Sequence, residues 1–365
     1  MENIEINEDK DVIVASLREE AIGLSSTVYG GGLRRLTHVV FKRVEESFEC
    51  SKPENYAKEV VVSLGLPSES TAVFLTAADL NRNRITKSLR KPYPIDLIVT
   101  IGLDNLACID EERAKNASTI NTFIAVRANL NEYAIVDLVK TVIEAKSVAV
   151  ADLGFSCFNR RAVGTVTDAV SVAVIPKGDI EPFAGVSTTI GGSTAKLVYS
   201  SIVEGALKNL DLNSWLKLTL GIDISNLKNL ILKAYKLAPI PNISYREVEK
   251  LIENELDVTL KDPNVISLII AAKELDIRGR AGTIWGLSKA EYLADSKRII
   301  ADEILGIALS VYVNGWRGLF NYYWVDRNKE KIDELNELPM FTDDIIGALM
   351  GSVLSRVYDR LLKNG

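Results

Sequence analysis

Short runs of β-branched and apolar residues recur along the first half of the chain. Such runs, bounded by turn-forming residues, are typical of strands. They predict seven strands, over Val12–Leu17, Leu36–Val44, Thr71–Thr76, Leu97–Ile101, Thr122–Val126, Val148–Leu153 and Val170–Ile175. Apolar positions at helical spacing lie between them and predict helices over Pro53–Leu64 and Asn131–Lys146. Because strands and helices interleave without strict alternation, this half is predicted to be an α/β domain with a mixed sheet.

The hydrophobic pattern changes to a helical period from about Thr188 onward. Helices are predicted over Lys196–Leu210 and Ser225–Leu237, and the prolines of Ala238–Asn242 end the second one. Three later helix starts carry typical capping residues: Ser244 with Glu247, Asp262 with Pro263, and Ser288 with Glu291. The pattern therefore predicts an α/β domain over residues 1–212, a helical connector over 213–241 and an all-α domain over 242–365.

Two pairs of adjacent acids lie in the apolar helices near the end of the chain. Asp302 and Glu303 belong to a run that continues from the last of these caps and is apolar on nearly every face, which predicts a buried helix with both acids in its interior. Asp343 and Asp344 begin the next apolar run, where they could instead follow Thr342 as an N-cap and favour the helix dipole. Because a buried carboxylate needs a partner or a metal, the four acids are the predicted ligands of Mg²⁺ or another divalent cation.

The interval between the two acid pairs is polar and basic. It supplies one further candidate catalytic acid and three candidate phosphate ligands, namely Asp326, Arg317, Arg327 and Lys329. Three small residues would let the flanking helices approach one another closely, namely Gly306, Gly347 and Gly351. Acids for a hard cation beside bases for an anion are the combination that phosphate chemistry needs.

Three clusters of glycine and hydroxyl residues in the first domain are candidate binding sites. They comprise Ser25, Ser26, Gly30, Gly31 and Gly32, then Thr76 with Asp79, and finally Thr165, Thr167 and Asp168. Backbone N–H groups beside glycines can hold an anion or a carbonyl oxygen, although turns and capped strand ends give the same pattern. His38 is the one histidine of the chain, and a lone histidine is often structural. With Asp79 and Asp168, it forms the set of acid–base candidates.

Composition limits the classes of partner. The chain has 365 residues, of which 47% are hydrophobic and 25% charged, and a net charge of −6, which is typical of a globular enzyme and disfavours binding to nucleic acid. The first eleven residues lack the apolar core of a signal peptide, and we find no apolar run of about 18 residues that could span a membrane. A cytoplasmic protein is therefore expected, with Cys50, Cys108 and Cys157 as free buried thiols. Composition leaves the oligomeric state open, a homo-oligomer included.

The C-terminal motifs resemble those of the phosphatidylglycerophosphatase A superfamily. Ala301–Gly306, Phe320–Tyr323 and Leu338–Asp344 are most similar to its soluble alpha-ribazole-phosphate phosphatase branch, over about the last third of the chain. The interval around Asp326 lacks the Lys-Pro of the lipid-phosphatase form. The resemblance implies a helical domain of the phosphatidylglycerophosphatase A-like type. It also implies a metal-dependent phosphomonoesterase that acts on alpha-ribazole 5′-phosphate.

The motifs of the first domain resemble the adenosylcobinamide amidohydrolase family, in order, from about Ala21 to Leu210. The matching segments are Ser25–Gly32, Arg35–His38, Thr76–Asp79, Gly164–Ala169 and Gly185–Tyr199. The resemblance implies hydrolysis of the amide that joins the corrin ring to aminopropanol, which converts adenosylcobinamide to adenosylcobyric acid. It implies no established cofactor for this domain.

Together, the two resemblances indicate a fused, bifunctional cobamide-salvage hydrolase with two small-molecule substrates. An alternative keeps both domains but changes their roles. In it, the first domain is a noncatalytic corrinoid-binding module, and the second dephosphorylates a phosphatidylglycerophosphate-type lipid.

Overall fold

The computed structural model describes residues 1–45, 47–48, 51–109, 119–157 and 160–363. The chain divides into two compact units. Unit 1 consists of Met1–Cys157 and Arg161–Asp211, and unit 2 consists mainly of Leu212–Gly365.

Unit 1 is an α/β unit built from eleven strands and three helices over its described residues. The strands are β1 (Ile4–Asp9), β2 (Val12–Ser25), β3 (Gly32–Arg43), β4 (Thr71–Thr76), β5 (Arg84–Leu89), β6 (Ile95–Ile101), β7 (Leu106–Cys108), β8 (Ile120–Leu130), β9 (Ser156–Cys157), β10 (Arg160–Thr165) and β11 (Ala169–Glu181). The helices are α1 (Pro53–Ser63), α2 (Glu132–Asp152) and α3 (Thr189–Asn209).

The main sheet has eight strands, with β1 paired to β2 and the others in the order β4-β3-β2-β11-β8-β6-β5. The pairs β3–β4 and β8–β11 are parallel and the other pairs are antiparallel, which confirms the predicted mixed sheet. The predicted strand Val148–Leu153 is wrong, because this apolar run continues the buried face of α2 through Ala145 and Ala149. The edge strands β1 and β5 escaped prediction because polar residues interrupt them.

The sheet curls so that strands far apart in its order meet. Asn121 on β8 donates a hydrogen bond from Nδ2 to the backbone oxygen of Leu75 on β4 at 3.0 Å. The apolar interior includes Phe41, Phe74 and Phe123. The closure brings the end of β4 beside the start of β8, and both lie close to the start of β11.

The helical prediction for unit 2 is confirmed over its described residues. Its helices are α4 (Leu212–Leu220), α5 (Ile224–Leu237), α6 (Tyr245–Leu260), α7 (Pro263–Ala281), α8 (Lys289–Leu293), α9 (Ala301–Arg327), α10 (Asp333–Asn336) and α11 (Met340–Lys363). Ser244, Asp262 and Ser288 accept backbone hydrogen bonds at the starts of α6, α7 and α8. The segment expected to be a connector holds α4 and α5, whose apolar side chains belong to the core of this unit.

Helix α9 is a tight hairpin of two helical halves. Asn314 and Gly315 leave the helical conformation, and the positive φ of Gly315 (56°) suits a residue without a side chain. A Cβ atom on Gly306 would lie 2.7 Å from the ring of Tyr322, and one on Gly318 would lie 2.4 Å from the backbone oxygen of Ser310. Gly306 thus lies opposite Tyr322, and Ser310 lies opposite Gly318. Because the facing residues come closer in sequence towards Gly315, the two halves run antiparallel.

Three expectations about these helices are corrected. Asp302 and Glu303 lie in the first turn of α9 and not in a helix interior, because the capped helix α8 already ends at Leu293. Thr342 lies inside α11 and is not its N-cap. Helix α9 is not apolar and buried all round, because it buries only one face. Large apolar side chains remain exposed on the other, including Ile304, Ile307, Val311, Trp316 and Phe320.

Two of the cysteines also differ from expectation. Cys108 and Cys157 form a disulfide, because β7 and β9, which flank β10, hold their Cα atoms 6.1 Å apart. Cys50 lies outside the described residues. Among the described helices, we find none that is both long enough and apolar enough to cross a membrane.

Candidate functional site

The first turn of α9 and the beginning of α11 bring three carboxylates together in unit 2. Oxygen atoms of Asp302, Glu303 and Asp344 all lie within 4.8 Å of one another. Asp302 and Asp344 are buried, and Glu303 is exposed. The hydroxyl of Tyr322, on the returning half of α9, donates a hydrogen bond of 2.7 Å to Oδ1 of Asp344. The hairpin thus places residues from both of its halves, Asp302 and Tyr322, at one cluster of carboxylates.

Lys329 supplies a positive charge beside these acids. Its Nζ atom lies 3.1 Å from Oδ2 of Asp343 and 3.5 Å from Oδ1 of Asp326. Burial favours the neutral lysine, but the charge and hydrogen bond of Asp343, followed by the charge of Asp326, hold the pKa of Lys329 above its ordinary value. Asp343, predicted as a fourth metal ligand, is therefore an ion-pair partner of this lysine.

The electrostatics of the site suit a divalent cation. Burial raises the pKa of Asp302 to about 8, that of Asp343 to about 7 and that of Asp344 to about 6, and neighbouring acids add to each shift. A bound cation would reverse this cost by favouring the charged carboxylates. All three clustered donors are carboxylate oxygens, which hard ions such as Mg²⁺ prefer. The residues present therefore fit such an ion.

The other two predicted phosphate ligands have partners of their own. Arg317 forms an ion pair with Asp359 on α11. Arg327 lies over the ring of Tyr323, with 5.6 Å between its guanidinium carbon and the ring centroid. Of the three predicted basic ligands, Lys329 is the one that contacts the predicted catalytic acids.

Two polar residues of this region escaped prediction. Tyr322 lies in the quoted Phe320–Tyr323 segment, but nothing in the local pattern distinguishes it from its neighbouring aromatic residues. Asp276 on α7 is buried and accepts hydrogen bonds from the start of α11. Asp276 shares α7 with Lys273, Glu274, Arg278 and Arg280, so the sequence resembles an exposed helix with ion pairs and gives no signal that Asp276 is buried.

In unit 1, the serines of the first cluster pair with β11. The Oγ atoms of Ser25 and Ser171 lie 2.6 Å apart. Ser26 accepts a hydrogen bond from the backbone nitrogen of Val170 at 3.0 Å, and its own backbone nitrogen donates to the oxygen of Val170 at 2.8 Å. The first predicted cluster therefore lies where β2 ends and β11 begins, beside the strand that follows the third cluster.

Asp168, a predicted acid–base residue, is saturated with partners. Its Oδ1 accepts from the backbone nitrogen of Ile120 at 2.8 Å and from the hydroxyl of Thr165. Its Oδ2 accepts from the backbone nitrogen of Thr165 at 3.0 Å and from the ammonium of Lys146, whose side chain is buried. These bonds tie β10 and the start of β8 to α2, which is a structural arrangement. The exposed Thr167 lies within the same turn.

The second cluster also builds a turn. Oδ1 of Asp79 accepts from the backbone nitrogens of Asn81 and Arg82 at 2.8 and 3.1 Å, and these bonds lower the pKa of Asp79. Thr76 is buried, and its hydroxyl accepts from the backbone nitrogen of Ala78 at 3.1 Å. Both predicted residues therefore shape the chain as it leaves β4.

His38 lies far from Ser25 and Ser26 along the strand direction of the sheet. On β3 it is six residues from Gly32, the register partner of Ser25, which is about 20 Å along a strand. Its register partner on β4 is Thr71, and a Cβ atom on Gly30 would lie 2.2 Å from the backbone oxygen of that same residue. The glycine loop thus approaches His38 from the other edge of β4. Burial lowers the pKa of His38, and its Nδ1 lies 2.9 Å from the Thr37 hydroxyl.

One further polar group in unit 1 escaped prediction. Asn121 and Thr100 are register partners on β8 and β6, and both are buried. Neither the Oδ1 atom of Asn121 nor the Oγ1 atom of Thr100 has a hydrogen-bond partner among the described residues. Asn121 belongs to a run that reads as an ordinary strand, so only the curl of the sheet reveals its position beside β4.

Two of the relatives found among known proteins agree with this reading of unit 1. An adenosylcobinamide amidohydrolase of Methanosarcina mazei is 30% identical over 196 residues, which cover 51% of this chain and 89% of that protein. A protein of the same name from Halobacterium salinarum is 27% identical over 189 residues, which cover 48% of this chain and 77% of that protein. An uncharacterized protein of Methanocaldococcus jannaschii is 32% identical over 123 residues, which cover 32% of this chain and 92% of that protein.

The family model described as adenosylcobinamide amidohydrolase matches residues 1–214, which is more than half of the chain and includes all of unit 1 up to Asp211. The resemblance identified from the glycine and hydroxyl clusters is thereby confirmed. The chain belongs to the adenosylcobinamide amidohydrolase family.

Proposed function

We propose that the chain is a bifunctional hydrolase, in which the amidohydrolase unit is joined to a cation-dependent phosphomonoesterase formed by unit 2. The proposed substrate of unit 2 is alpha-ribazole 5′-phosphate. The observation that carries the proposal is the group of Asp302, Glu303 and Asp344, with oxygens within 4.8 Å of one another. Two of these carboxylates are buried, and such an arrangement is costly unless a cation accompanies it.

The residues of unit 2 would divide the phosphatase chemistry among them. A hard divalent ion held by Asp302, Glu303 and Asp344 would neutralise charge on the phosphate and lower the pKa of a bound water. Lys329 keeps its proton, because Asp343 and Asp326 hold its pKa high. It can therefore offer a full positive charge to a phosphate oxygen. Tyr322 fixes the direction of the Asp344 carboxylate through its hydrogen bond.

In unit 1, His38 is the best placed of the three acid–base candidates. Amide hydrolysis needs a base, donors for the developing oxyanion and a proton for the leaving amine. Both oxygens of Asp168 and Oδ1 of Asp79 already accept structural hydrogen bonds. The lowered pKa of His38 keeps its imidazole neutral at pH 7, so it can accept a proton there. Within the predicted Gly30–Gly32 loop, Gly30 contacts Thr71, the register partner of His38, so its backbone N–H group is the candidate oxyanion donor.

The test is to incubate purified chain with each substrate and to detect products by mass spectrometry. Asp302→Asn, or excess EDTA, should abolish release of phosphate and leave amide hydrolysis unchanged. His38→Gln should lower amide turnover on the order of 100-fold, as for general acid–base catalysis, and leave the phosphatase unchanged. The two variants are therefore reciprocal controls.

Three outcomes would count against the proposal. Phosphatase activity that persists in metal-stripped protein would exclude the proposed cation centre. Phosphate release from dispersed phosphatidylglycerophosphate, but not from the ribazole ester, would favour a lipid substrate for unit 2. Unchanged amide turnover in His38→Gln would exclude this residue as the base.

A further inference from the structure

Asp276 is a buried carboxylate that belongs to none of the sequence motifs. It lies on α7, and none of its surface is exposed. It accepts hydrogen bonds from the backbone nitrogens of Phe341 and Thr342 at 3.0 and 2.9 Å, and from the hydroxyl of Tyr292 at 2.9 Å. The hydroxyl of Thr342 also donates to it. Burial raises the pKa of Asp276, and these hydrogen bonds oppose the shift.

The position of these bonds makes Asp276 the cap of α11. The first N–H groups of a helix have no partner within the helix. The first regular backbone hydrogen bond of α11 runs from the nitrogen of Asp343 to the oxygen of Pro339, at 2.8 Å. The N–H groups of Phe341 and Thr342 precede it, and Asp276 accepts from both. A carboxylate from another helix thus does what an N-cap residue usually does, and its charge favours the helix dipole.

The carboxylate of Asp276 is itself held from a third helix. Tyr292 on α8 packs its ring against α7 at Gly279, where a Cβ atom would lie 2.3 Å from the ring. Only the missing side chain of Gly279 lets the Tyr292 hydroxyl reach Asp276, one turn earlier on α7. The buried Lys273 adds a positive charge nearby, and burial lowers its pKa to about 8. Asp276 is therefore a fixed point to which the start of α11 is attached.

We propose that Asp276 is a positioning residue for the acid site of unit 2, because it fixes the turn of α11 that presents Asp343 and Asp344. The anchored residue Thr342 directly precedes this pair, so a rotation of the first turn would move both carboxylates. The inference rests on the proposed cation centre and deepens it. Groups that orient metal ligands without touching the metal typically change its affinity by about 10-fold to 100-fold.

The experiment measures Mn²⁺ binding by the full-length, metal-stripped chain, with free Mn²⁺ followed by its electron paramagnetic resonance signal. Asp276→Asn keeps the volume of the side chain but replaces an acceptor oxygen by an NH₂ group, which cannot accept from the α11 backbone. We expect Mn²⁺ affinity to fall about 10-fold to 100-fold. Hydrogen exchange should accelerate even without metal at Phe341 or at Thr342, whichever backbone N–H group loses its acceptor.

The matched control is Glu255→Gln. Glu255 is also a buried carboxylate of unit 2, but it pairs with Arg360 near the other end of α11. This variant should lose thermal stability and yet bind Mn²⁺ within twofold of the parent. If Asp276→Asn does not fold, Tyr292→Phe removes a single hydrogen bond to Asp276 and should weaken Mn²⁺ binding severalfold.

The outcomes separate the inference from the function on which it rests. Parental Mn²⁺ affinity in Asp276→Asn, or an equal loss of affinity in Glu255→Gln, would show that Asp276 only supports the fold, while the cation centre would stand. A parent chain that binds no Mn²⁺ would overturn the cation centre and the positioning role together.

Discussion

The hydroxyl of Tyr322 donates a hydrogen bond of 2.7 Å to Oδ1 of Asp344, across the interface between α9 and α11. The ring of Tyr322 lies against Gly306 and Gly347, and its backbone lies against Gly351. The three glycines that predicted a close approach of helices therefore surround one residue. Through this tyrosine, the packing of the hairpin is linked directly to the acid site.

Tyr322→Phe should preserve the fold and impair the site. The ring keeps its place among the glycines, but Asp344 loses a hydrogen bond that lowers its pKa, so its pKa rises above the present value of about 6. More Asp344 is then protonated in weakly acidic buffer. We expect phosphatase kcat/KM to fall about tenfold at pH 6, in keeping with the ~1.5 kcal/mol of a charged hydrogen bond, and to fall less at pH 8. An equal loss at both pH values would contradict the assigned cause.

Two glycines one turn apart on α11 should respond oppositely to alanine. A Cβ atom on Gly351 would lie 2.5 Å from the backbone nitrogen of Tyr322, whereas one on Gly347 would make an ordinary contact of 3.6 Å with its ring. Gly351→Ala should therefore lower the free energy of unfolding by about 1–3 kcal/mol. Gly347→Ala should raise it by up to about 1 kcal/mol, because alanine favours the helix. Equal effects in urea unfolding would show that the helices do not pack as described.

The stability of metal-free unit 2 should fall as the pH rises. Burial raises the pKa values of Asp302, Asp343 and Asp344 to about 8, 7 and 6, above the value of about 3.9 for an unfolded aspartate. The folded state therefore binds these protons more tightly, and its advantage is full below about pH 4 and is lost as the pH rises towards 8. Mg²⁺ should stabilise unit 2 at pH 8 and have little effect at pH 5.

Tryptophan fluorescence offers a selective measurement of this dependence. All four tryptophans lie in unit 2, at positions 215, 285, 316 and 324. Melting followed by fluorescence in EDTA and in Mg²⁺ should reveal the pH dependence, and Asp302→Asn should flatten it. A metal-free melting temperature that rises between pH 5 and pH 8 would contradict the raised pKa values.

The two units should fold and act as separate fragments if they are cut between Asp211 and Leu212. The fragment 1–211 should retain amide hydrolysis, and 212–365 should retain the phosphatase. A fragment that starts at Ser225 should melt at a lower temperature, because it lacks Leu216 and Leu220, which are buried in the core of unit 2. If both fragments fold by circular dichroism but work only when mixed, the activities are not separable.

Local patterns along the sequence determined most of the elements. The predicted strand Thr71–Thr76 coincides with β4, and Asn131 caps α2 by accepting from the backbone nitrogen of Ala134. Periodicity and capping involve residues within a few positions of one another, so they can be read without a fold. The prediction failed at Val148–Leu153, where the β-branched residues of a strand also continue a helical face. The family of unit 1 was likewise visible in the order of its short motifs.

Only the tertiary structure decided which residues meet. The sequence marked Asp302, Glu303 and Asp344 as acids among apolar residues, but the hairpin at Gly315 and the packing of α11 bring them together. The same packing forms the ion pairs between Asp343 and Lys329 and between Arg317 and Asp359. In unit 1, the register of β2 and β3 places His38 six residues from the partner of Ser25, and β8 and α2 supply the partners Ile120 and Lys146 of Asp168. Contacts between residues tens of positions apart depend on how helices and strands pack, and spacing along the chain carries no record of that packing.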